Sequence, residues 1–424
     1  MCMKTKAIRL YGKNDIRLEE FELPEMQEDE ILAQIVSDSI CMSSYKAAIQ
    51  GPDHKRVPND VDKNPIILGH EFSGKILKVG KKWEGQFQEG QKFSIQPAIV
   101  HKDNPYAAPG YSFKYIGGGA THVIIPNVVM EAGALLPYEA DSYFYGSLAE
   151  PMSTIIGAFR ANYHHVKPGS YEHEMGVKPG GNMAILAGVG PMGLGAIDYA
   201  LHNEKKPKLL VVTDINEERL ARAASIYTVE DAAKDEIKLI YVNTASPDKG
   251  VDYMMSLSDG KGYDDVFIFA PVKAVVEMGN QIMGYDACMN FFAGPTDQSF
   301  SANFNFYDVH YSNHHIVGTS GGNTEDLKIS LDMMGKGKIN PIAMITHVGG
   351  LNSAPETTLN LPNIPGGKKL VYTNIEMDMA AINDFREKGK TDPLFAKLAD
   401  IVEKNNGLWS AEAEKYLLAN SKPI

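Results

Sequence analysis

A glycine-rich turn between an apolar strand and a helix constrains the fold of this chain more than any other feature. The apolar segment NMAILA runs into Gly188, and Gly190, Pro191, Met192 and Gly193 complete a GxGxxG pattern. Glycines at this spacing allow a tight turn, close approach of backbone to a pyrophosphate and close packing of the following helix. An isolated match is often only a turn, so the surrounding pattern must support a dinucleotide site.

Apolar strands alternate with helical segments after this turn. The pattern predicts strands in MAILAG, KLLVVTD, DDVFIFA, CMNFFAG and HHIVGTSGG, and helices in GPMGLGAIDYALHN and INEERLARAASIY. Near-continuous apolar strands that alternate with helices are typical of a doubly wound parallel sheet. We therefore predict a Rossmann-type α/β domain.

Asp214 closes the second predicted strand, twenty-one residues after Gly193. An acidic side chain there would bind the ribose hydroxyls of NAD and repel a 2′-phosphate. The alternative is that Asp214 only caps the next helix. Arg219 lies further into that helix, so NAD is the predicted cofactor and NADP stays open.

The N-terminal third has a different pattern of predicted elements, with short strands and frequent turns. Strands are predicted in IRLEEFEL, EILAQIVS, GKILKVG, KFSIQPA and THVIIP, which indicates a β-rich, barrel-like lobe. The β-rich pattern ends near Met152. It is followed by a predicted helix, PMSTIIGAFRANYHH, and by a Pro/Gly-rich connector, VKPGSYEHEMGVKPGG. We predict a β-rich catalytic domain from residues 1–153 and 319–424 and a dinucleotide domain from 154–318. The chain ends in a polar, helix-rich tail.

Composition narrows the choice of partners and compartment. The net charge of −12, spread along the chain, disfavours binding to nucleic acid and favours a small-molecule partner. Three scattered cysteines, Cys2, Cys41 and Cys288, suit a reducing compartment. Because neither a secretory leader nor a membrane span is evident, we expect a cytoplasmic protein without membrane contact.

Three segments of the N-terminal third carry side chains that could share one metal ion. They are SICMSS with Cys41, GHEFSG with His70 and Glu71, and LAEP with Glu150. Catalytic zinc sites use three protein ligands and an open position, and zinc stabilises an alkoxide as it lowers the pKa of bound water to about 7. Each residue alone also has an ordinary structural explanation. Adjacent residues of a regular strand point apart, so one of His70 and Glu71 is expected outside the ligand set unless the backbone bends.

The motifs, taken in their order along the chain, resemble those of the zinc-dependent medium-chain dehydrogenase/reductase family. The resemblance rests on Cys41 with Ser43, GHEFSG, LAEP and GVGPMG, and it covers about residues 5–350. It implies a GroES-like catalytic domain joined to the Rossmann domain, and an NAD(P)-dependent dehydrogenase acting on CH–OH groups. The polyol and sugar-phosphate branch, notably the L-sorbose-1-phosphate reductases, is most similar, through SDSICMSSYKA, GPDHKRVPND, HEMGVKPGGN, NFFAGPTD and LPNIPGGKK.

Carried over by position, the resemblance makes Cys41 and His70 zinc ligands, with Glu71 and Glu150 sharing the carboxylate role. It makes Ser43 the hydroxyl that passes the substrate proton. Relatives with a second, structural zinc carry four closely spaced cysteines after the GHE motif, whereas residues 96–120 contain none. One catalytic zinc per subunit, and no structural zinc, is therefore expected.

The resemblance also implies a substrate. Lys46, which stands where many relatives have a relay histidine, and the basic run His54, Lys55 and Arg56 could bind a phosphate. A solvated basic loop is the alternative. The expected reaction converts L-sorbose 1-phosphate to D-glucitol 6-phosphate in a homodimer or homotetramer. An unphosphorylated polyol or another secondary alcohol is the alternative substrate.

Two rival functions and three histidine-containing pairs complete the predictions. The rivals are a zinc-free enone or quinone reductase of the same fold and a non-catalytic nucleotide-binding protein. The pairs are His164–His165, His173–Glu174 and His314–His315. Neighbouring imidazoles rarely converge on one ion, so these pairs are predicted to be solvated or capping.

Overall fold

The computed structural model describes residues 3–100 and 104–424, so Cys2 lies outside the described residues. The strands within these ranges are β1 (Lys4–Gly12), β2 (Asp15–Glu22), β3 (Ile31–Ile40), β4 (Ile66–Ile67), β5 (Phe72–Val79), β6 (Lys92–Ile95), β7 (His122–Ile125), β8 (Leu135–Pro137), β9 (Tyr163–His165), β10 (His173–Met175), β11 (Asn182–Leu186), β12 (Leu209–Asp214), β13 (Lys238–Asn243), β14 (Tyr263–Ile268), β15 (Met283–Phe291), β16 (His315–Gly318), β17 (Ile345–Gly350), β18 (Lys368–Tyr372), β19 (Ile375–Glu376), β20 (Ala380–Ala381) and β21 (Lys422–Pro423).

The α-helices of the described residues vary from single turns to five turns. They are α1 (Met42–Gln50), α2 (Asn127–Glu131), α3 (Phe144–Ala161), α4 (Pro191–His202), α5 (Glu217–Ile226), α6 (Val229–Lys234), α7 (Val251–Leu257), α8 (Lys273–Gln281), α9 (Phe306–Tyr311), α10 (Thr324–Gly335), α11 (Ala354–Leu359), α12 (Phe385–Lys388), α13 (Pro393–Lys404) and α14 (Ala411–Asn420). None of the helices in the described part of the chain is long and apolar enough to cross a membrane.

The chain divides into two compact units. Unit 1 comprises Met1–Glu150, Asn323–Lys336 and Ile345–Ile424, and unit 2 comprises Pro151–Gly322 and Gly337–Met344. The division at 153/154 and 318/319 that the sequence suggests stays a prediction.

Unit 1 is built on an antiparallel-rich sheet. Its strand order is β20-β17-β18-β3-β5-β6-β8, with β7 also paired to β3, and a smaller sheet has the order β2-β1-β4. The central strand β3 is antiparallel to both β5 and β18. Consequently the carboxyl end of β3 meets the amino ends of β5 and β18 at one edge of the sheet.

Unit 2 contains a six-stranded parallel sheet in the order β13-β12-β11-β14-β15-β16. This is the order of a dinucleotide-binding doubly wound fold, in which ligands bind at the carboxyl ends of the strands. The strand β11 (NMAIL) is buried along its whole length, as expected for a strand covered on both faces. The predicted doubly wound sheet is confirmed.

Two element predictions are wrong. The helix predicted through PMSTIIGAFRANYHH ends at Ala161, and its last residues form β9. The predicted connector is also not irregular, because β10 returns from it to pair antiparallel with β9. Gly169, at φ +77°, lies in the turn between the two strands, where a left-handed conformation suits glycine.

The C-terminal tail stabilises the start of α3. Glu414 on α14 is buried, and its carboxylate accepts hydrogen bonds from the backbone N–H groups of Tyr143 and Phe144, at 2.6 and 2.9 Å. A carboxylate at a helix N-terminus satisfies orphan donors and favours the helix dipole. Tyr372 and the fully buried Trp409 extend this network. The tail therefore fixes the helix that carries Glu150.

Candidate active site

The strand pairing in unit 1 brings the predicted metal ligands together. Cys41 directly follows β3 and precedes α1, while His70 and Glu71 directly precede β5. Because β3 and β5 are antiparallel, with Asp38 opposite Phe72, the two segments meet at one sheet edge. One donor atom from each of Cys41, His70 and Glu71 lies within 4.8 Å of the other two.

A bend lets the adjacent residues His70 and Glu71 face the same cluster. Neither residue is part of a strand, and His70 Nε2 lies 4.0 Å from Glu71 Oε1. The preceding Gly69 has φ +102°, and a side chain on it would overlap the Asp38 carboxylate and the backbone of Gly119. Glycine is therefore needed at this turn, and the expectation that the two side chains point apart does not apply.

Lys368, which sequence reasoning missed, neutralises Glu71. At the start of β18, its Nζ donates to both carboxylate oxygens of Glu71 at 2.6 Å, and both side chains are almost fully buried. Burial alone would raise the pKa of Glu71, but the charges of Lys368 and His70 outweigh it and lower that pKa. Glu71 is thus a paired carboxylate. A lysine beginning the apolar strand KKLVY was the only local hint, and its partner is 297 residues away.

His70 is held by two hydroxyl groups. Its Nδ1 lies 3.2 Å from Ser44 Oγ, and its Nε2 lies 3.2 Å from the hydroxyl of Tyr111. Burial lowers the pKa of His70 to about 4, so the imidazole is neutral at physiological pH. A neutral imidazole is the form that binds metal. Neither Ser44 nor Tyr111 carries a sequence pattern that would have marked it.

The site also disturbs the protonation of Cys41 and Glu150. Cys41 Sγ lies 3.6 Å from Ser43 Oγ, and burial, followed by the charge of Glu71, raises the pKa of the thiol to about 12. Burial and Glu71 also raise the pKa of Glu150 to about 8. Glu150 is not in the 4.8 Å group, although its charge acts on Cys41. The structure therefore places Glu71, rather than Glu150, beside the thiol and the imidazole.

The predicted basic cluster lies against Tyr111, which also contacts His70. The His54 ring stacks on Tyr111 with centroids 5.7 Å apart, and the Arg56 guanidinium lies 5.7 Å from the Tyr111 centroid. Tyr111 in turn lies 4.7 Å from His70, centroid to centroid. Burial lowers the pKa of His54, and three cations lower it further, namely Arg56, Lys55 and Lys46. A positive region therefore adjoins the metal-ligand cluster within unit 1.

The glycine-rich turn of unit 2 has the geometry of a phosphate site. α4 begins at Pro191, and its N-cap residue is Gly190, which has no side chain to accept a hydrogen bond. The N–H groups of the first turn, including that of Met192, therefore have no side-chain cap. A Cβ on Gly190 would meet no atom within 4 Å, whereas one on Gly193 would overlap the backbone of Gly188. Gly190 therefore leaves room for a ligand and Gly193 allows close packing, as a pyrophosphate turn requires.

Asp214 ends β12 beside this turn and does not cap the next helix. The N-cap of α5 is Asn216, whose side chain accepts from the N–H of Arg219 at 2.9 Å. Asp214 Oδ1 instead accepts from the backbone N–H groups of Ile215 and Asn216. The alternative of Asp214 as helix cap is therefore wrong. Arg219 is exposed in the first turn of α5.

Comparisons with known proteins agree with this geometry. Residues 27–132 match the family model for the alcohol dehydrogenase GroES-like domain. The chain is 50% identical to L-sorbose 1-phosphate reductase of Klebsiella pneumoniae, covering 99% of this chain and 98% of the relative. It is also 50% identical to mannitol-1-phosphate 5-dehydrogenase of Aliivibrio fischeri, covering 98% and 97%.

A solved structure agrees on the fold. The chain superposes on 2R,3R-butanediol dehydrogenase from Bacillus subtilis with a TM-score of 0.69 and 21% identity, covering 87% of this chain and 100% of that one. At this identity the likeness concerns the fold alone. The predicted combination of a GroES-like domain and a Rossmann domain is confirmed.

Proposed function

Since the chain belongs to the zinc-dependent medium-chain dehydrogenase/reductase family, in its polyol and sugar-phosphate branch, we propose that it interconverts a ketose phosphate and a hexitol phosphate with a nicotinamide cofactor. The observation that carries this proposal is the contact chain in unit 1 from the basic cluster through Tyr111 to His70. It provides an anion site next to a metal-ligand cluster, as a phosphorylated alcohol needs.

The preferred reaction is the reduction of L-sorbose 1-phosphate to D-glucitol 6-phosphate. Its reacting carbon is adjacent to the carbon that bears the phosphate, which suits an anion site separated from His70 by a single aromatic ring. A second candidate is mannitol 1-phosphate oxidised at C5, because a relative of that name is equally similar. There the phosphate lies at the far end of the chain from the reacting carbon, so the two substrates place different demands on the basic cluster. An unphosphorylated polyol makes no use of it.

Zinc fits the donors present in unit 1. A thiol, an imidazole and a carboxylate are the ligand types of catalytic zinc sites, and those of Cys41, His70 and Glu71 already lie within 4.8 Å of each other. We assign Cys41 and His70 as ligands. Glu71 keeps its ion pair with Lys368, and Glu150 supplies the second negative charge, besides that of the Cys41 thiolate, that balances the ion. With a thiolate, both carboxylates and the Lys368 ammonium, a divalent ion gives a site of zero net charge, which suits its burial.

The chemistry is divided between the bound groups and the side chains. Zinc at this position would polarise the substrate oxygen as a Lewis acid, and the nicotinamide would carry the hydride. Ser43 Oγ relays the proton of the substrate hydroxyl. During oxidation it accepts that proton while giving its own hydroxyl proton to water, and during reduction both transfers reverse. The Lys46 ammonium lies where relatives have a relay histidine, and with Arg56 it holds the phosphate. One catalytic zinc ion per subunit suffices for this mechanism.

The cofactor is proposed to be NAD rather than NADP. A carboxylate at Asp214, at the end of β12, binds ribose hydroxyls and repels a 2′-phosphate. Arg219, exposed in the first turn of α5, is a feature that favours NADP. The ratio of kcat/KM for NADH and NADPH tests this choice, and a ratio below one contradicts it. Replacement of Asp214 by Ser should lower the ratio at least tenfold.

The remaining proposals concern the assembly and its surroundings. We propose a cytoplasmic homodimer or homotetramer that binds neither nucleic acid nor membrane, in keeping with the net charge of −12. Light scattering coupled to size exclusion measures the assembly, and a monomer as the active species contradicts the proposal.

Steady-state kinetics test the proposed reaction. L-sorbose 1-phosphate should exceed L-sorbose in kcat/KM at least ~100-fold, since two or more charge-assisted contacts to phosphate are worth about 3 kcal/mol. Arg56→Ala should reduce this preference at least tenfold, whereas Lys63→Ala, which removes an exposed lysine of the same segment, should not. Equal rates with both sugars would support the unphosphorylated alternative.

The same assay separates the rival functions. A zinc-free reductase would keep full activity with less than about half an equivalent of zinc, the threshold for partial occupancy of a one-metal site. A non-catalytic protein would bind NADH and turn over neither L-sorbose 1-phosphate nor mannitol 1-phosphate. Either result would overturn the proposed function.

A further inference from the structure

Unit 2 gathers three histidines that the sequence distributes over separate segments. β10 pairs antiparallel with β9, which sets His173 directly opposite His165. At the sheet edge β16 pairs with β15, and its first residue, His315, lies across from Cys288. We name His165, His173 and His315 the histidine cluster. The prediction that these pairs are solvated or capping is wrong for His165 and His315, whose side chains are only 15% and 11% exposed. It is also wrong for their neighbours His164 and His314, which are buried.

The three rings converge closely enough to share an ion. Their centroids are 4.7 Å apart for His165 and His173, 5.2 Å for His165 and His315, and 5.6 Å for His173 and His315. One nitrogen from each ring lies within 4.8 Å of the other two. Nitrogens bound to one tetrahedral zinc at ~2.1 Å are about 3.4 Å apart. Because His173 is exposed, rotation of its side chain can close the remaining gap.

Asp286 gives the cluster a negative charge and orients two of the rings. Its Oδ1 lies 2.5 Å from His165 Nδ1 and 2.9 Å from His315 Nε2, and its Oδ2 accepts from the His165 backbone N–H at 2.9 Å. Burial would raise the pKa of Asp286, but the hydrogen bonds from His315 and His165 outweigh it and lower that pKa, so the carboxylate is ionised. Histidines that bind metals commonly have such a carboxylate partner, which fixes ring orientation.

The backbone at Asp286 supports a specific role for this residue. Asp286 has φ +57° inside β15, a conformation that non-glycine residues seldom adopt in a strand. The pairing of β15 with β14 is irregular nearby, as in a β-bulge, which can redirect a side chain. Here the distortion places the carboxylate between His165 and His315. Strain of this kind persists where the surrounding structure requires it.

We propose that the histidine cluster, with Asp286, binds a divalent transition-metal ion of the zinc type. Three imidazoles, two of them oriented by a carboxylate, suit zinc, cobalt, nickel or copper, and this ligand set contains no thiol, unlike the Cys41 cluster. The exposed His173 leaves one side open to solvent, and a cavity of about 350 Å³ lined by His165 and Asp286 adjoins the site. The ion fastens the β9–β10 hairpin to the edge of the parallel sheet. This inference is independent of the proposed function.

Metal titration of the full chain tests the site. Protein freed of metal by chelation is titrated with Zn²⁺, and separately with Co²⁺, for wild type, His173→Ala and His310→Ala. His310 is an exposed histidine of unit 2 outside the cluster and serves as the control. Wild type and His310→Ala should bind two zinc ions per chain, and His173→Ala should bind one tightly. Loss of a ligand should weaken the second ion at least tenfold.

The spectrum of bound Co²⁺ separates this site from the one at Cys41. Sulfur ligation gives a thiolate-to-cobalt charge-transfer band, which Cys41→Ser should abolish. His173→Ala should retain that band and lose only the absorption of the sulfur-free ion. Asparagine tolerates the backbone conformation of Asp286. Asp286→Asn should therefore weaken binding of the second ion while the circular dichroism spectrum stays unchanged. Equal zinc stoichiometry and affinity in wild type and His173→Ala would overturn the inference, whatever the activity of either protein.

Discussion

The Cys41 cluster of unit 1 and the histidine cluster of unit 2 each bring three donor atoms within 4.8 Å, yet they are built differently. The first combines a thiol, an imidazole and a carboxylate, with His70 and Glu71 buried and Glu71 paired to the buried Lys368. The second uses three imidazoles, one of them exposed, and a single carboxylate, Asp286.

The difference teaches what a reaction demands of a metal site. Burial strengthens the electrostatic effect of an ion on a substrate, but it requires that every charge be balanced inside the protein. In the proposed zinc-bound site, Lys368 and Glu150 supply that balance around Cys41. A site that only fastens a hairpin needs no such arrangement, and its ligands can lie near solvent. The two clusters should therefore respond very differently to the same kinds of change.

The largest contrast is expected from removal of one ligand at each cluster. Cys41→Ser should lower kcat/KM for the ketose phosphate at least a thousandfold, as expected when catalytic stabilisation of about 4 kcal/mol is lost. His173→Ala should change it less than threefold. The measurement is initial rate with saturating NADH, and NADH binding followed by fluorescence should be unchanged in both variants. Comparable losses in both would contradict the division of roles.

The next contrast concerns the charges that support each cluster. Lys368→Met leaves Glu71 buried without its partner and should reduce the free energy of unfolding by about 3–5 kcal/mol. The matched control is Lys390→Met, which removes an exposed ion pair with Glu387 and should cost less than about 0.5 kcal/mol. Urea unfolding of metal-free protein measures both.

A double variant checks the cause of that loss. Lys368→Met combined with Glu71→Gln removes both charges and should recover at least half of the lost stability, because an uncharged pair leaves no isolated buried ion. If the double variant is less stable than Lys368→Met, burial of the Glu71 charge is not the cause.

The pH dependence of zinc affinity should separate the clusters further. The pKa of the Cys41 thiol is raised to about 12 by burial, so this group must release a proton to bind zinc at any pH below that value. The zinc affinity of the Cys41 cluster should therefore rise about tenfold per pH unit between pH 7 and 9. His70, with a pKa lowered to about 4, releases none in this range.

The histidine cluster provides the comparison for that measurement. The histidine cluster has no thiol that must lose a proton to bind zinc, so its zinc affinity should change less than about threefold between pH 7.5 and 9. Competition with a chromophoric chelator measures both sites, in His173→Ala for the Cys41 cluster and in Cys41→Ser for the histidine cluster. Equal slopes would show that the thiol is not a ligand.

The smallest expected effect comes from Tyr111. Tyr111→Phe removes the hydroxyl beside His70 Nε2 and keeps the ring that contacts His54. Zinc bound at Nε2 has to displace this hydroxyl, and one neutral hydrogen bond is worth about 1 kcal/mol, so zinc affinity at the Cys41 cluster should rise by at most about fivefold. Tyr115→Phe, in the same loop, is the control and should have no effect. A loss above a hundredfold would show that the hydroxyl supports zinc binding rather than competing with it.

Sequence reasoning reached what local pattern and motif order encode. The turn from Gly188 to Gly193 and the apolar strands around it predicted the parallel sheet, and the ordered motifs predicted which family fold surrounds Cys41 and His70. These features depend on residues close in sequence, where turn geometry and periodicity act.

Features that depend on distant pairing escaped it. Lys368 meets Glu71 only because β18 and β5 both flank β3, and no local pattern records that neighbourhood. His165 lies on β9, which the sequence predicted as the end of a helix, and His173 lies on β10, which it predicted as a connector. His315 joins them from β16, more than 140 residues away. Short strands such as β9 and β10, three residues each, have too few residues for periodicity to reveal them.

Anomalous diffraction at the zinc edge, from crystals of active, zinc-loaded enzyme, tests the central claim most directly. We expect a peak about 2.3 Å from Cys41 Sγ and about 2.0–2.1 Å from a ring nitrogen of His70, the distances of zinc–thiolate and zinc–imidazole bonds. An active enzyme whose crystals show no zinc bonded to Cys41 and His70 would contradict the account.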